Sequence, residues 1–316
     1  MKYIQRYIAS LGLLIITSSG AYSQYSNPIL TSPVDAQGAA LGHVSTLSGE
    51  MPLYTIPTLA LDQANVNPIK LSYTLGLTPS KEHNHRQYLH SLASSHRLGK
   101  RHAVLLGARY WRGLPTPYTD VMGSKLGTIH PQDWTLDASY AYAMSSALKF
   151  SAGVSYLNAY SSQTSHSAMV HLTASYQGQL SFLREGQYLL VGSIRNVGSK
   201  MSYGRKRKSY NSLPTYIEGA GRIGLTPLQG HNLQIGIALR YYTSISGAQA
   251  LVYQAGTEYR IQRLLALRLG GLYQQNNSQI TMGLGKEFGP LDISLAYNLQ
   301  TYSQFNILNI GLSLSL

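Results

Sequence analysis

The sequence contains no cysteine, and this absence excludes several classes of site. Disulfide bonds, thiolate catalysis, zinc fingers and iron–sulfur clusters all depend on cysteine. Charged residues are scarce too, at 12% of the 316 residues, which is about half the share expected of a soluble domain. Long apolar runs are also missing, since the mean hydropathy is -0.10, and this excludes a bundle of transmembrane helices.

Apolar residues are nevertheless plentiful, at 44% of the chain, and tyrosine is in marked excess. There are 25 Tyr against 4 Phe and 2 Trp. This composition fits either an unusually uncharged soluble protein or a membrane protein whose apolar residues alternate with others. Tyrosine combines an apolar ring with a hydrated hydroxyl, so the excess favours surfaces that meet lipid headgroups.

Residues 1–23 have the pattern of a secretory signal peptide. Lys2 and Arg6 form a basic start, residues 11–17 form an apolar centre, and residues 21–23 form a small-x-small cleavage site. The apolar centre is too short to span a bilayer as a helix, so an uncleaved anchor is the weaker alternative. Removing two basic residues leaves 23 basic and 12 acidic side chains, a net charge of +11, on an exported protein.

From residue 67 to residue 316 the chain alternates between apolar residues and small or polar residues. Residues 291–300 show the pattern, with Leu291, Ile293 and Leu295 separated by Asp292 and Ser294. Alternate residues of a strand face opposite sides, and segments of about 10 to 13 residues suit tilted transmembrane strands. We count fourteen such segments, which start near Asn67, Arg86, Arg101, Gln132, Ala147, Ser165, Gln187, Pro214, His231, Gln249, Arg263, Ser278, Gly289 and Gln304. The sequence thus predicts an all-β outer-membrane barrel, with residues 24–66 as an N-terminal segment that could plug it.

The spacing of these segments predicts which links lie on each side. If both ends of the chain are periplasmic, the even-numbered links are mostly short, whereas the odd-numbered links include the two longest, at residues 114–131 and 199–213. Short turns on one side and longer loops on the other are typical of outer-membrane barrels. The interior faces are then predicted to carry isolated charges, because an Arg or Lys facing lipid would cost about 2–4 kcal/mol. These residues are Arg109, Asp137, Lys149, Arg222, Arg240, Glu258, Arg268 and Asp292. Charge pairing is expected there, and a catalytic carboxylate pair is the weaker alternative.

Other sequence features give weak support for chemistry. Five of the ten histidines lie between His83 and His102, but a zinc site would need matched ligands that the sequence does not indicate. The basic run at residues 205–208 could hold lipopolysaccharide phosphates or an acidic partner, or it could simply be a solvated loop. There is no G-x-S-x-G motif and no nucleotide-binding glycine pattern, so we predict neither an enzyme nor a cofactor, and no nucleic-acid partner.

Three stretches resemble the PorV and PorQ family of outer-membrane barrels from the type IX secretion system of Bacteroidetes, relatives of the FadL-like fourteen-stranded barrels. The first is SPVDAQGAALGHVS at residues 32–45. The second is RNVGSKMSY at residues 195–203, followed by LPT at residues 213–215. The third combines GTEY at residues 256–259 with LALRLGGLY at residues 265–273. The resemblance covers the whole mature chain and is somewhat closer to PorV.

The resemblance implies a non-enzymatic role in the bacterial outer membrane. Members of the family receive the C-terminal domains of secreted cargo from the translocon, or anchor the attachment complex of the PorU sortase and PorZ. In both cases the outer loops make the contacts. The residues expected to bind partners are Tyr118, Asp120, Lys125, Lys200, Tyr203, Arg205, Lys206, Arg207, Lys208 and Tyr210.

Two other functions remain open from the sequence. One is a FadL-like transporter of hydrophobic solutes, which requires a continuous apolar lumen with the N-terminal segment as a hatch. The other is a barrel enzyme that modifies lipid A, which requires a serine and a histidine within hydrogen-bond reach at the membrane rim.

Overall fold

The computed structural model of the chain describes residues 27–62, 69–79, 85–119, 122–161, 163–180, 186–203, 209–244, 250–262, 264–275, 278–300 and 306–316. The predicted signal peptide lies outside these residues. Among the described residues, no helix is long and apolar enough to cross a membrane.

Fourteen antiparallel strands form a closed barrel, as the alternation predicts. The barrel strands are β1 Ile69–Pro79, β2 Arg86–Leu98, β3 His102–Arg112, β6 Gln132–Ala143, β7 Leu148–Tyr160, β8 Thr164–Leu180, β9 Gly186–Gly198, β12 Tyr216–Leu225, β13 His231–Tyr242, β14 Leu251–Ile261, β15 Leu265–Tyr273, β16 Gln279–Phe288, β17 Leu291–Gln300 and β18 Ile307–Ser315. Each barrel strand pairs with the barrel strands before and after it in the chain. β1 pairs with β18 to close the barrel, with Tyr73 opposite Leu312. Every strand begins within three residues of its predicted start.

The two faces of each strand differ as the period of two requires. On β6, Asp133, Thr135 and Asp137 face inward and are buried, while Leu136 between them is 56% exposed on the outer surface. Outward-facing tyrosines lie near both ends of the barrel. Tyr110, Tyr156, Tyr160, Tyr241, Tyr253, Tyr273 and Tyr297 lie toward one end, and Tyr140, Tyr142, Tyr176, Tyr188 and Tyr259 lie toward the other.

The two ends also differ in their links. The turns at the end that carries both chain termini of the barrel are short, and the longest is residues 181–185 or 226–230. The links at the other end, called here the outer end, include residues 113–131 and 199–215. Each of these long links contains a two-stranded hairpin that the sequence did not predict: β4 Thr116–Thr119 with β5 Lys125–Ile129, and β10 Met201–Tyr203 with β11 Ser209–Asn211.

Residues 27–62 lie inside the barrel and are called the plug. They form two short helices, α1 Pro28–Thr31 and α2 Ala36–Ala40, and three 3-10 turns at Ser45–Leu47, Pro52–Tyr54 and Pro57–Asp62. The side chain of Asp35 caps α2 by accepting from the backbone N–H of Gly38 at 2.5 Å. The chain then turns at Gly42 and His43, which have φ values of 66° and 64°. These short elements give the plug a compact path across the lumen.

Candidate functional site

Ion pairs and hydrogen bonds fix the plug to the wall around the lumen. Arg109 on β3 donates to Asp137 at 3.1 Å and to the carbonyl of Ile29 in the plug at 3.0 Å. Its guanidinium also stacks on the ring of Tyr54, with 4.7 Å between Cζ and the ring centroid. The Tyr54 hydroxyl donates to Asp137 at 3.1 Å, so plug and wall share one buried network.

Arg195 holds the same part of the plug from β9. Its two terminal nitrogens donate to the carbonyls of Tyr54 and Thr55 at 2.8 and 2.7 Å. It precedes Asn196, whose φ of 58° marks a bulge where the register between β8 and β9 shifts. Bulges redirect side chains, and this one lies where the wall meets the plug.

Two further networks bind the other side of the plug. On β12 and β13, Glu218 accepts from Arg240 at 2.6 Å and from the plug residue Ser45 at 2.5 Å. On β14 and β15, Glu258 accepts from Arg268 at 2.7 Å and from the plug residue Gln37 at 3.1 Å. Because each buried carboxylate has a cation and a plug donor, removing the plug would leave it less satisfied.

Glycines of both the plug and the wall lie where the two surfaces meet. A Cβ on Gly42 would come within 2.5 Å of the backbone oxygens of Ala255 and Gly271. A Cβ on Gly236 would be 2.8 Å from Leu47, and one on Gly107 would be 2.5 Å from Leu53. At these points the plug packs directly on the barrel backbone, as a fixed part of the interior.

Two cavities remain inside the barrel, and charged side chains line both. A cavity of about 90 Å³ lies between the plug and the wall, and Arg109, Asp137, Arg195, Glu218 and Arg240 are among the residues that line it. A second cavity, of about 900 Å³, opens at the short-turn end and is lined by Lys70, Arg222, Arg260 and Asp292 among others. The cavity of about 90 Å³ is large enough for a few water molecules and too small for a drug-sized ligand.

The predicted interior charges all lie on inward-facing positions of the described strands. Arg109, Asp137, Lys149, Glu258 and Arg268 are buried, and Lys149 pairs with Asp62 at the end of the plug. Arg240 is half-buried and pairs with Glu218. Arg222 donates to Gln234 at 3.4 Å, and it lines the larger cavity together with Asp292. Six of the eight predicted residues, Arg109, Asp137, Lys149, Arg240, Glu258 and Arg268, are therefore members of ion pairs.

A serine and a histidine also meet inside the lumen, which bears on catalysis. The Oγ of Ser155 lies 2.7 Å from Nε2 of His171 and donates to Asp137. Nδ1 of His171 accepts from the backbone N–H of Asn196 at 3.1 Å, so the ring proton is on Nε2 and is donated to Ser155. A histidine in this state cannot take a proton from the serine, and the pair lies within the plugged barrel, away from the membrane rim.

The residues predicted to bind partners lie in the long outer links. Tyr118 on β4 is 50% exposed, and Lys200 is exposed beside β10. Lys125, Tyr203 and Tyr210 lie on the hairpin strands. Asp120, Arg205, Lys206, Arg207 and Lys208 lie outside the described residues, as does His83. Within the described part of the chain, no three His, Asp or Glu side chains are grouped as metal ligands would be.

Residues of the plug that the sequence did not single out complete the site. Glu50 accepts from the backbone N–H of Gln37 at 2.8 Å and from Thr74 on β1 at 3.3 Å. Burial and the neighbouring Asp35 raise the pKa of Glu50 to about 7, and burial also raises the pKa of Asp35. Two carboxyl groups in one buried site repel each other when both are ionised.

We expect the plug to loosen as the pH rises. A carboxyl whose pKa is raised in the folded state stabilises that state fully below about 4.5, and this contribution is lost as the pH rises through about 7. Labelling of a Val44→Cys variant measures opening, since Val44 is fully buried and the chain has no other thiol. The labelling rate of Val44→Cys, divided by that of an exposed Ser146→Cys control, should rise several-fold from pH 5 to pH 8. Glu50→Gln should flatten this rise. An unchanged slope in Glu50→Gln would contradict this assignment.

Comparisons with known proteins agree on the fold. The chain is similar to the toluene transporter TbuX of Ralstonia pickettii, with 12% identity and a TM-score of 0.58 over 89% of this chain and 98% of that one. It is similar to the monoaromatic hydrocarbon channel CymD, with 13% identity and a TM-score of 0.58 over 93% and 99%. A FadL homologue of Pseudomonas aeruginosa has 8% identity and a TM-score of 0.53 over 89% and 98%. No family model and no curated protein matches the sequence.

These likenesses show a FadL-like outer-membrane barrel fold. The solved neighbours are transporters and channels, which is consistent with a protein that is not an enzyme. None of these solved neighbours is described as a type IX secretion protein.

Proposed function

We propose that the protein is a non-enzymatic support in the outer membrane, which binds protein partners of type IX secretion through its outer links. The observation that carries this proposal is the plug, which is joined to the wall by four charged networks and leaves about 90 Å³ between plug and wall, beside a cavity of about 900 Å³ that opens at the short-turn end. A barrel closed in this way offers its outer surface for function. The family resemblance of residues 32–45 and 195–203 supplies the kind of partner, namely cargo C-terminal domains or the attachment complex.

A photo-crosslinking experiment tests the proposal in cells. A crosslinker at Tyr118, which is exposed on β4, should capture a cargo C-terminal domain or a sortase-complex protein. The same crosslinker at Tyr273, which is 63% exposed on the lipid-facing surface of β15, is the matched control and should not capture these partners. Equal capture at both positions, or capture of neither class of protein at Tyr118, would refute the proposal.

A second candidate function is transport of small hydrophobic solutes with residues 27–62 as the hatch. The specific observation in its favour is the likeness to TbuX and CymD, which covers about nine tenths of the chain. Transport would require the plug to leave its contacts with Arg109, Arg195 and Glu218, because these charged side chains line the cavity between plug and wall and would face an apolar solute there.

Uptake measurements separate the two functions. The vesicles enclose an impermeant trap for toluene analogues. Vesicles that contain the wild-type protein should take up these analogues no faster than protein-free vesicles. A variant with a displaced plug serves as the positive control for an open barrel. Saturable uptake by the wild-type protein would establish the transport function. It would contradict the proposal that the protein acts only as a support.

A further inference from the structure

The charged side chains on the lipid-facing surface are all cations. Among the described residues of the barrel strands, the charged residues that face outward are only Arg86, Arg112 and Lys286. Every described carboxylate on a barrel strand faces inward. All three lie near strand ends, where a long side chain reaches the headgroup region. An outer surface that carries cations without carboxylates is complementary to anionic headgroups.

Two of these cations lie side by side at the outer end. Arg112 on β3 is directly opposite Tyr88 on β2, and Arg86 is two residues beyond Tyr88 on the same face. The two arginines are therefore diagonal neighbours, with about 7–8 Å between their Cα atoms across the sheet. Both side chains are exposed, and neither has an ion-pair partner within the described part of the chain.

A third donor extends this row. Gln132 on β6 lies opposite Arg112, and its Oε1 accepts from the hydroxyl of Tyr110 at 3.1 Å. This contact directs the Nε2 amide group away from Tyr110, with two N–H donors available. Arg86, Arg112 and Gln132 thus present donors along one edge of the rim, and we call them the rim triad.

The surface beneath the rim triad is formed by packed aromatic rings. The ring of Tyr88 stacks on His90, with 6.5 Å between centroids and 18° between planes. His90 lies 6.2 Å from the ring of Tyr110, and its Nδ1 is 2.8 Å from the hydroxyl of Tyr73. Packed rings restrict the base of each neighbouring side chain, so the donors above them are preorganised. On the far side of the barrel, Tyr253 and Tyr273 form a similar pair with no described charge beside them.

The geometry points to a binding site for the phosphate groups of a phosphorylated glycolipid in the outer leaflet. Arginine presents a planar fork of donors that matches phosphate oxygens in a bidentate manner, and the amide of Gln132 adds a neutral donor. The apolar rings below would contact the acyl chains and sugar of the same lipid. A free phosphate ion would use only the donors, whereas the lipid uses both the donors and the rings.

Native mass spectrometry of the purified full chain in detergent tests the site. The probes are bisphosphorylated lipid A, the same lipid A with both phosphates removed, and inorganic phosphate. Bisphosphorylated lipid A should bind in preference to the dephosphorylated form. Arg86→Gln and Arg112→Gln should each weaken this binding about fivefold, and the double variant about 25-fold, since a cation near a headgroup contributes that factor.

Lys286→Gln is the matched control, because it removes the same charge from the lipid-facing surface at the opposite end of the barrel. It should leave lipid A binding unchanged. Equal binding of the dephosphorylated lipid, or an equal loss in Lys286→Gln, would overturn the site. Displacement of lipid A by an equal concentration of inorganic phosphate would overturn the assignment to a lipid. Heat-modifiable migration on gels verifies that each variant is folded.

Discussion

Replacing Gly42 with alanine should open the plug. The residue has a φ of 66°, and a Cβ there would lie 2.5 Å from backbone oxygens of β14 and β15. The left-handed conformation costs an alanine about 1–2 kcal/mol. Overpacking against the wall backbone adds about 1–3 kcal/mol, because backbone in a closed sheet cannot move aside as a flexible side chain can. Labelling of Val44→Cys in this background should accelerate by about tenfold or more.

Gly99 provides the matched control for this experiment. It has a φ of 75° in the turn between β2 and β3, and a Cβ there would meet nothing within 4 Å. Gly99→Ala therefore includes the cost of the backbone conformation without the collision. It should leave labelling at Val44→Cys close to the wild-type rate. If both alanine variants label equally fast, contact between the plug and the wall does not hold the plug in place.

Replacing Arg109 with methionine should strongly destabilise the barrel. It removes the cation from Asp137, which is 7% exposed, and also breaks the contact with the carbonyl of Ile29. Breaking a buried ion pair on one side costs about 3–5 kcal/mol, because the remaining charge stays buried without a partner. Unfolding by urea in lipid vesicles measures the loss.

The companion variant distinguishes a lost charge partner from a lost side chain. Arg109→Met combined with Asp137→Leu should recover most of the stability, since two apolar groups can replace a buried pair at little cost. Arg222→Met should cost about 1 kcal/mol or less, because Arg222 has only a 3.4 Å hydrogen bond to Gln234 among the described residues. A double variant as unstable as Arg109→Met would show that the charge pair is not the cause.

The strand pattern was predictable because lipid and lumen impose opposite demands on neighbouring residues. The alternation of Leu291, Ile293 and Leu295 with Asp292 and Ser294 fixed both the faces and the approximate bounds of β17. The hairpins β4–β5 and β10–β11 were not predicted, since they lie within the outer links, beyond the membrane constraint.

The interior site was predictable only in part. Arg195 and Glu218 are in phase with inward-facing neighbours such as Ser193 and Ala220, so the alternation could have identified both. Their partners could not be found in this way. The contact between Ser45 and Glu218 joins residues 173 positions apart, and it depends on how the plug folds back within the barrel. Inward-facing glycines, such as Gly236 on β13, were the available sign of where the plug would lie against the wall.

The position of α2 joins the plug to the strands that close the barrel. This helix packs against β15, β16, β17 and β18, and β18 is the strand that closes the seam with β1. Its receiving surface therefore includes a strand that lies far from α2 in the sequence. Packing of α2 on β18 therefore stabilises the strand that forms the seam with β1.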